Sequence, residues 1–146
     1  MIVTETETGT GRVLGLDLGD ARIGVAISDP DRRLAVPVGT IHVGQPPGEL
    51  KAVAALVAEH DATQLVIGLP RSMSGDEGPR AALAREFGAA LEAVVRVPIE
   101  FQDERLSTVE AERALRDAGV TGRERRRVVD RSAATVILQA WLDAHR

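Results

Sequence analysis

Cysteine is absent from the chain, which excludes disulfides and thiolate metal sites together. Aromatic residues are nearly absent too: Phe87, Phe101 and Trp141 are the full set. The core must therefore be built from Val, Leu, Ile and Ala, and no platform of rings can stack the bases of a single strand. His42, His60 and His145 stand apart, without the paired spacing of a zinc site. Any bound metal should be a hard cation held by oxygen. No apolar run approaches the roughly 20 residues of a membrane span. Met1–Thr10 is polar and acidic rather than signal-like, so it reads as a flexible tail before one domain over residues 11–146. The expectation is a cytoplasmic protein without membrane contact.

What is present suits one compact core. At 146 residues with 44% hydrophobic side chains, the chain can bury enough surface to fold as a single unit. A net charge of −4 argues against a generic nucleic-acid coat protein, but the distribution matters more than the sum. All 18 basic residues except Lys51 are arginine, and Arg123, Arg125, Arg126, Arg127 and Arg131 crowd together. Such a cluster is either a solvated helix start or a set of guanidinium forks for phosphate.

The pattern along the chain predicts strands at Arg12–Leu18, Arg22–Ser28 and Leu34–Val43, the first two joined by a tight Gly19-Asp20 turn. Pro37 and Gly39 mark the third as an edge, giving an antiparallel meander. Leu50, Val53, Ala54, Leu56 and Val57 then recur at helical spacing over Glu49–Glu59. Gln64–Leu69 has the unbroken apolar character of a buried parallel strand. A loop over Pro70–Gly78 leads into a helix at Pro79–Val94 and a fifth strand at Val97–Gln102. Ser107-Thr108-Val109-Glu110 is a capping box for a helix ending near Ala118, with Gly119 as its stop. A basic loop at Thr121–Arg126 precedes the final helix, Val128–Ala144. The order β-β-β-α-β-α-β-α-α describes an α/β protein with a mixed five-stranded sheet flanked by helices, a ribonuclease H-like layout.

Three acidic segments carry the chemistry. Asp17 ends the first strand, and alternation sets it on the face of Val13 and Gly15, opposite Leu14, Leu16 and Leu18. A carboxylate there needs a partner, either a cation or an arginine, unless it merely caps the following turn. Asp103 and Glu104 stand where the fifth strand ends; they could reach a site above the sheet edge or simply favour a helix start. Asp130 shares a helical stripe with Ala134, Ile137 and Trp141, which an ordinary N-terminal acid would not explain. Acids gathered from distant segments suit phosphodiester cleavage, where two Mg²⁺ ions clamp the attacking water and the leaving oxygen.

These residues resemble the YqgF/RuvX family, bacterial proteins of ribonuclease H-like fold described as Holliday-junction resolvases and as pre-16S rRNA nucleases. The resemblance runs through Gly15-Leu16-Asp17-Leu18-Gly19 with Arg22–Ala26, Val66-Ile67-Gly68-Leu69-Pro70, Asp103-Glu104-Arg105-Leu106-Ser107-Thr108, and Asp130 with Ala133-Ala134. It covers the chain from about Arg12 onward. It implies catalytic acids at Asp17, Asp103, Glu104 and Asp130. The expected ligands of Mg²⁺ or Mn²⁺ are Asp17, Glu104 and Asp130, with Asp103 as the alternative to Glu104. Arg71, Arg105, Arg123, Arg125, Arg126 and Arg127 are the expected contacts to substrate. The implied partner is structured RNA or branched DNA, met by a monomer or weak homodimer. Arg71-Ser72-Met73-Ser74-Gly75 departs from the family's usual Asn-Met-Asp-Gly-like loop, and arginines replace the frequent lysines before the last helix. Two other readings compete: an ATP-binding domain of the actin and hexokinase class, whose phosphate hairpin resembles Leu16–Gly19, and a non-catalytic RNA-binding factor.

Overall fold

The computed structural model describes residues 10–72, 74–105 and 122–146, with side chains in the last helix described from Ala133 onward. Strands β1 (Arg12–Leu18), β2 (Arg22–Ser28) and β3 (Ala35–His42) form the expected antiparallel meander. β4 (Ala62–Leu69) adds parallel to β1, and β5 (Ile99–Asp103) adds parallel to β4. The strand order is β3-β2-β1-β4-β5. Helices α1 (Glu49–Glu59), α2 (Pro79–Glu92) and α3 (Gly122–Ala144) cover the sheet. None of the described helices is long and apolar enough to cross a membrane.

Period-2 alternation splits the apolar side chains between two faces. Leu14 and Leu16 of β1 and Leu65 and Ile67 of β4 pack with Val53 of α1 and with Ala81, Ala84 and Leu91 of α2. Val13 and Val66 point the other way, against Ala134, Ile137, Leu138, Trp141 and Leu142 of α3. Glycine lets α3 come close: a Cβ on Gly15 would lie 2.8 Å from the Leu138 Cβ. Leu138 is fully buried, and trimming it to Ala would cost about 2–5 kcal/mol.

The boundaries of β1, β2 and α1 coincide with expectation; others move for local reasons. β5 begins at Ile99 rather than Val97, because Pro98 has no N–H to give the ladder. Its carbonyl instead accepts from the Leu65 N–H at 2.9 Å and from Gln64 Nε2 at 3.2 Å. α2 stops two residues before Val94, its end tightened by Ala93 N–H donating to the Ala90 carbonyl at 3.2 Å. α3 starts at Gly122, so Gly122–Arg126 is helix rather than loop. Arg and Glu are strong helix formers, and no breaker follows Gly122. The expected helix from Ser107 to Ala118, its Gly119 stop, Thr121 and residues 1–9 lie outside the described residues. At Thr10 the chain is already held, since its carbonyl accepts from Arg32 Nη2 at 2.8 Å and from Thr63 Oγ1 at 2.9 Å.

Candidate functional site

Because β1, β4 and β5 run parallel, their carboxyl ends share one sheet edge. Asp17 stands one residue before the end of β1, opposite Gly24 of β2. It faces α3, as alternation requires: a Cβ on Gly24 would lie 3.7 Å from the Asp17 Cβ and 3.6 Å from the Ala134 Cβ. The β1–β4 ladder pairs Leu16 with Ile67, which brings Asp17 alongside Gly68.

Glu104 follows β5 and folds over that same Gly68. A Cβ on Gly68 would sit 2.7 Å from Glu104 Oε2 and 2.7 Å from Ile137 Cδ1. Glycine here makes room for a carboxylate. Burial first, and the negative charge of Asp17 second, push the Glu104 carboxyl up to about 7, while Arg80 pulls in the opposite direction. The charge of Asp17 thus acts on a partly desolvated Glu104, although the two acids come from remote segments.

Asp103 belongs to the other face. It pairs with Leu69 in the β4–β5 ladder and so points away from α3. Arg105 binds it through Nη2 at 2.7 Å and through its backbone N–H at 2.9 Å, and Arg71 Nη1 approaches to 4.0 Å. The Arg105 hydrogen bonds, against an opposing burial effect, hold the Asp103 carboxyl below the usual range. Arg105 also reaches the Ser72 carbonyl at 3.5 Å. Arg71 in turn meets Glu77 at 3.3 Å, and Arg85 meets Glu77 at 2.7 Å. Asp103 is therefore the anchor of an ion-pair network along the loop before α2. Arg71 and Arg105 lie in that network, with their charge partly committed to it.

Asp130 stands one turn before Ala134 in α3, which is the helix that covers Asp17 and Gly68. Its side chain, and those of Arg123, Arg125, Arg126 and Arg127, lie outside the described residues. Among the described residues no three metal-capable side chains gather in one place. The Asp17–Glu104 pair nevertheless fits a hard divalent cation: both donors are oxygen, and bringing them together costs repulsion that a cation removes.

Arg80 is a residue that sequence reasoning passed over. It opens α2 and meets Asp20 of the β1–β2 turn at 3.7 Å. A signal did exist, since a cation in the first turn of a helix opposes the helix dipole.

With this geometry in place, comparison with known proteins identifies the lineage. Residues 11–144 match the family described as "RuvX: Holliday junction resolvase". A Mycobacterium tuberculosis (strain ATCC 25618 / H37Rv) protein is 48% identical over 138 residues, covering 94% of this chain and 81% of that protein. A Roseiflexus sp. (strain RS-1) protein is 46% identical over 136 residues, covering 93% and 96%. Both are named "Putative pre-16S rRNA nuclease". Among solved structures, Thermus thermophilus RuvC in complex with Holliday junction substrate superposes with a TM-score of 0.58 at 16% identity, covering 92% of this chain and 95% of that one. The fowlpox virus Holliday junction resolvase gives 0.52 at 8% identity, covering 92% and 99%. At such identities the likeness speaks for the fold alone, and it bears out the ribonuclease H-like architecture.

Proposed function

The chain belongs to the RuvX family of Holliday junction resolvases and pre-16S rRNA nucleases, and we propose that it is a cytoplasmic, divalent-metal-dependent hydrolase that trims the 5′ end of precursor 16S rRNA. Residues 11–146 are its single nuclease domain, acting as a monomer or weak homodimer. The convergence of Asp17 and Glu104 over Gly68 carries this reading. A carboxyl that would hold its proton near neutral pH beside a second carboxylate is poorly suited to an idle surface and well suited to a cation.

In this reading Asp17, Glu104 and Asp130 hold Mg²⁺ or Mn²⁺, which when bound polarises the phosphodiester and favours hydroxide as the attacking species. Glu104 would serve there as a carboxylate rather than as the neutral acid. Asp103 does not join the ligand set; it keeps Arg105, Arg71 and the loop before α2 in place beside the acids. Arg123, Arg125, Arg126 and Arg127 hold substrate phosphates.

The family description favours a second reading, in which the substrate is a four-way DNA junction. A direct test cleaves a precursor 16S rRNA fragment and a DNA junction side by side at matched salt, with and without chelator. Cleavage of the RNA, lost on chelation, is expected. Cutting of the junction alone would transfer the activity to DNA, and full turnover in excess chelator would remove the metal.

A further inference from the structure

We propose that Arg80 binds the phosphate next to the one being cut, so that the substrate strand crosses the sheet edge from the α3 face to the α2 face. This rests on the nuclease reading above and adds a contact to it. The β1 strand supplies the geometry. Asp17 faces α3, while the next residue, Leu18, packs on the opposite side with the α1 and α2 core. Leu18, Gly19, Asp20, Pro70, Arg80 and Leu83 border a cleft of about 80 Å³ on that side. Such a space is far below the ~300 Å³ of even a small ligand pocket, so it admits a phosphate and the edge of a sugar but no whole nucleotide.

The cleft wall has two kinds of surface. Arg80 and Leu83 stand three residues apart on α2 and so share a helix face. Leu83 is 61% exposed, an apolar neighbour for a ribose, and Arg80 supplies the cation. Arg80 is close enough to the acids for its charge to act on Glu104.

Neither helix stability nor ion pairing accounts for Arg80. A cation at a helix start is disfavoured, and its pair with Asp20 joins side chains 62% and 91% exposed, a class of contact worth little. Arg71 and Arg105, by contrast, are tied into the Asp103 and Glu77 network. The Asp20 carboxylate instead acts as a stand-in for phosphate: it occupies the Arg80 guanidinium until a strand displaces it.

The stand-in relationship makes the test specific. Binding of a precursor 16S rRNA fragment is measured by titration with Ca²⁺ in place of Mg²⁺, at three or more salt concentrations, for the wild type, Arg80→Ala, Arg80→Lys, Asp20→Asn and the double variant. Arg80→Ala should weaken binding about three- to tenfold near 0.1 M salt and reduce the log–log salt slope by roughly one unit. Arg80→Lys should keep the slope. Asp20→Asn should tighten binding, and that gain should vanish in the Arg80→Ala background. An unchanged affinity and slope for Arg80→Ala, or a gain from Asp20→Asn that persists without Arg80, would overturn the inference while leaving the nuclease reading intact. A wild type that binds no RNA at all would overturn both this inference and the RNA-processing reading on which it rests.

Discussion

Glu104 lies directly across Gly68, with its Oε2 2.7 Å from where a β-carbon would stand. The nearest atoms are the far ends of two flexible side chains, Glu104 and Ile137, rather than backbone. Gly68→Ala should therefore fold with a loss of only about 1 kcal/mol, because both neighbours can turn aside. The carboxylate cannot turn aside and stay beside Asp17. Cleavage should fall on the order of a hundredfold, with melting temperature as the control. Wild-type rates in Gly68→Ala would show that the Glu104 position is not used.

The same carboxyl sets a pH dependence for the metal-free protein. Its folded value, about 7, lies above its ordinary 4.5. Between those values the folded state keeps a proton that the unfolded chain has lost, so stability falls as pH rises through the window and levels off above it. Glu104→Gln should flatten that slope and be more stable than wild type at pH 8 by up to about 3 kcal/mol. Denaturant titrations in chelator from pH 4 to 8 measure it; parallel curves for the two proteins would refute the burial of this group.

Metal addition should reverse the ranking. A ligand that binds only the folded state stabilises it by about 2.7 kcal/mol at a hundred times its Kd. Mg²⁺ or Mn²⁺ should raise the wild-type melting temperature and leave Asp17→Asn almost unmoved. That variant should also lose cleavage while remaining folded, and in chelator it should be slightly more stable because repulsion with Glu104 is relieved. Normal cutting by Asp17→Asn would reduce Asp17 to a turn residue.

Asp103 and Glu104 are adjacent but should behave differently. Asp103→Asn leaves Asp17 and Glu104 in place and loosens Arg105, Arg71 and the Ser72 contact. Its maximal cleavage rate should stay within roughly tenfold of wild type while KM rises, whereas Glu104→Gln should lower the rate itself by two orders of magnitude or more. Equal losses in the rate would place Asp103 among the ligands.

Much of this arrangement was legible in the chain. Short Val, Ile and Leu runs between turn residues delimit β1 and β2 to the residue, and alternation alone sets Asp17 on the face of Val13 and Gly15, the face that α3 covers in the structure. The faces taken by Asp103 and Glu104 are hidden in the sequence because they depend on where β5 ends. The strand runs through Asp103, so a period of two sends the two acids to opposite faces. The start of α3 is hard to place from sequence because a run of Arg and Glu looks like loop by polarity yet favours helix by propensity. For Arg80 the sequence carries only the misfit of a cation in the first turn of a helix; its partner, Asp20, comes from a turn far away in sequence.

The early start of α3 sharpens what the basic cluster should do. Arg125 and Arg126 belong to the same helix as Asp130, ahead of it by about one turn. Replacing both with Ala should weaken RNA binding similarly across sequences and lower the log–log salt slope by roughly one to two units. Single-turnover cleavage at saturating RNA should change much less. Titrations at several salt concentrations decide the point, and an unaltered slope would assign these arginines to the solvated surface.

The close packing of α3 on glycine has one more effect. Leu138 presses on Gly15 and Ile137 on Gly68, so the helix that seals one face of the core also shapes the floor beneath Asp17 and Glu104. A copy in which that helix has come loose is a copy whose acids have lost their floor. Under the proposed assignment, cleavage should therefore depend on α3 staying packed on Gly15 and Gly68.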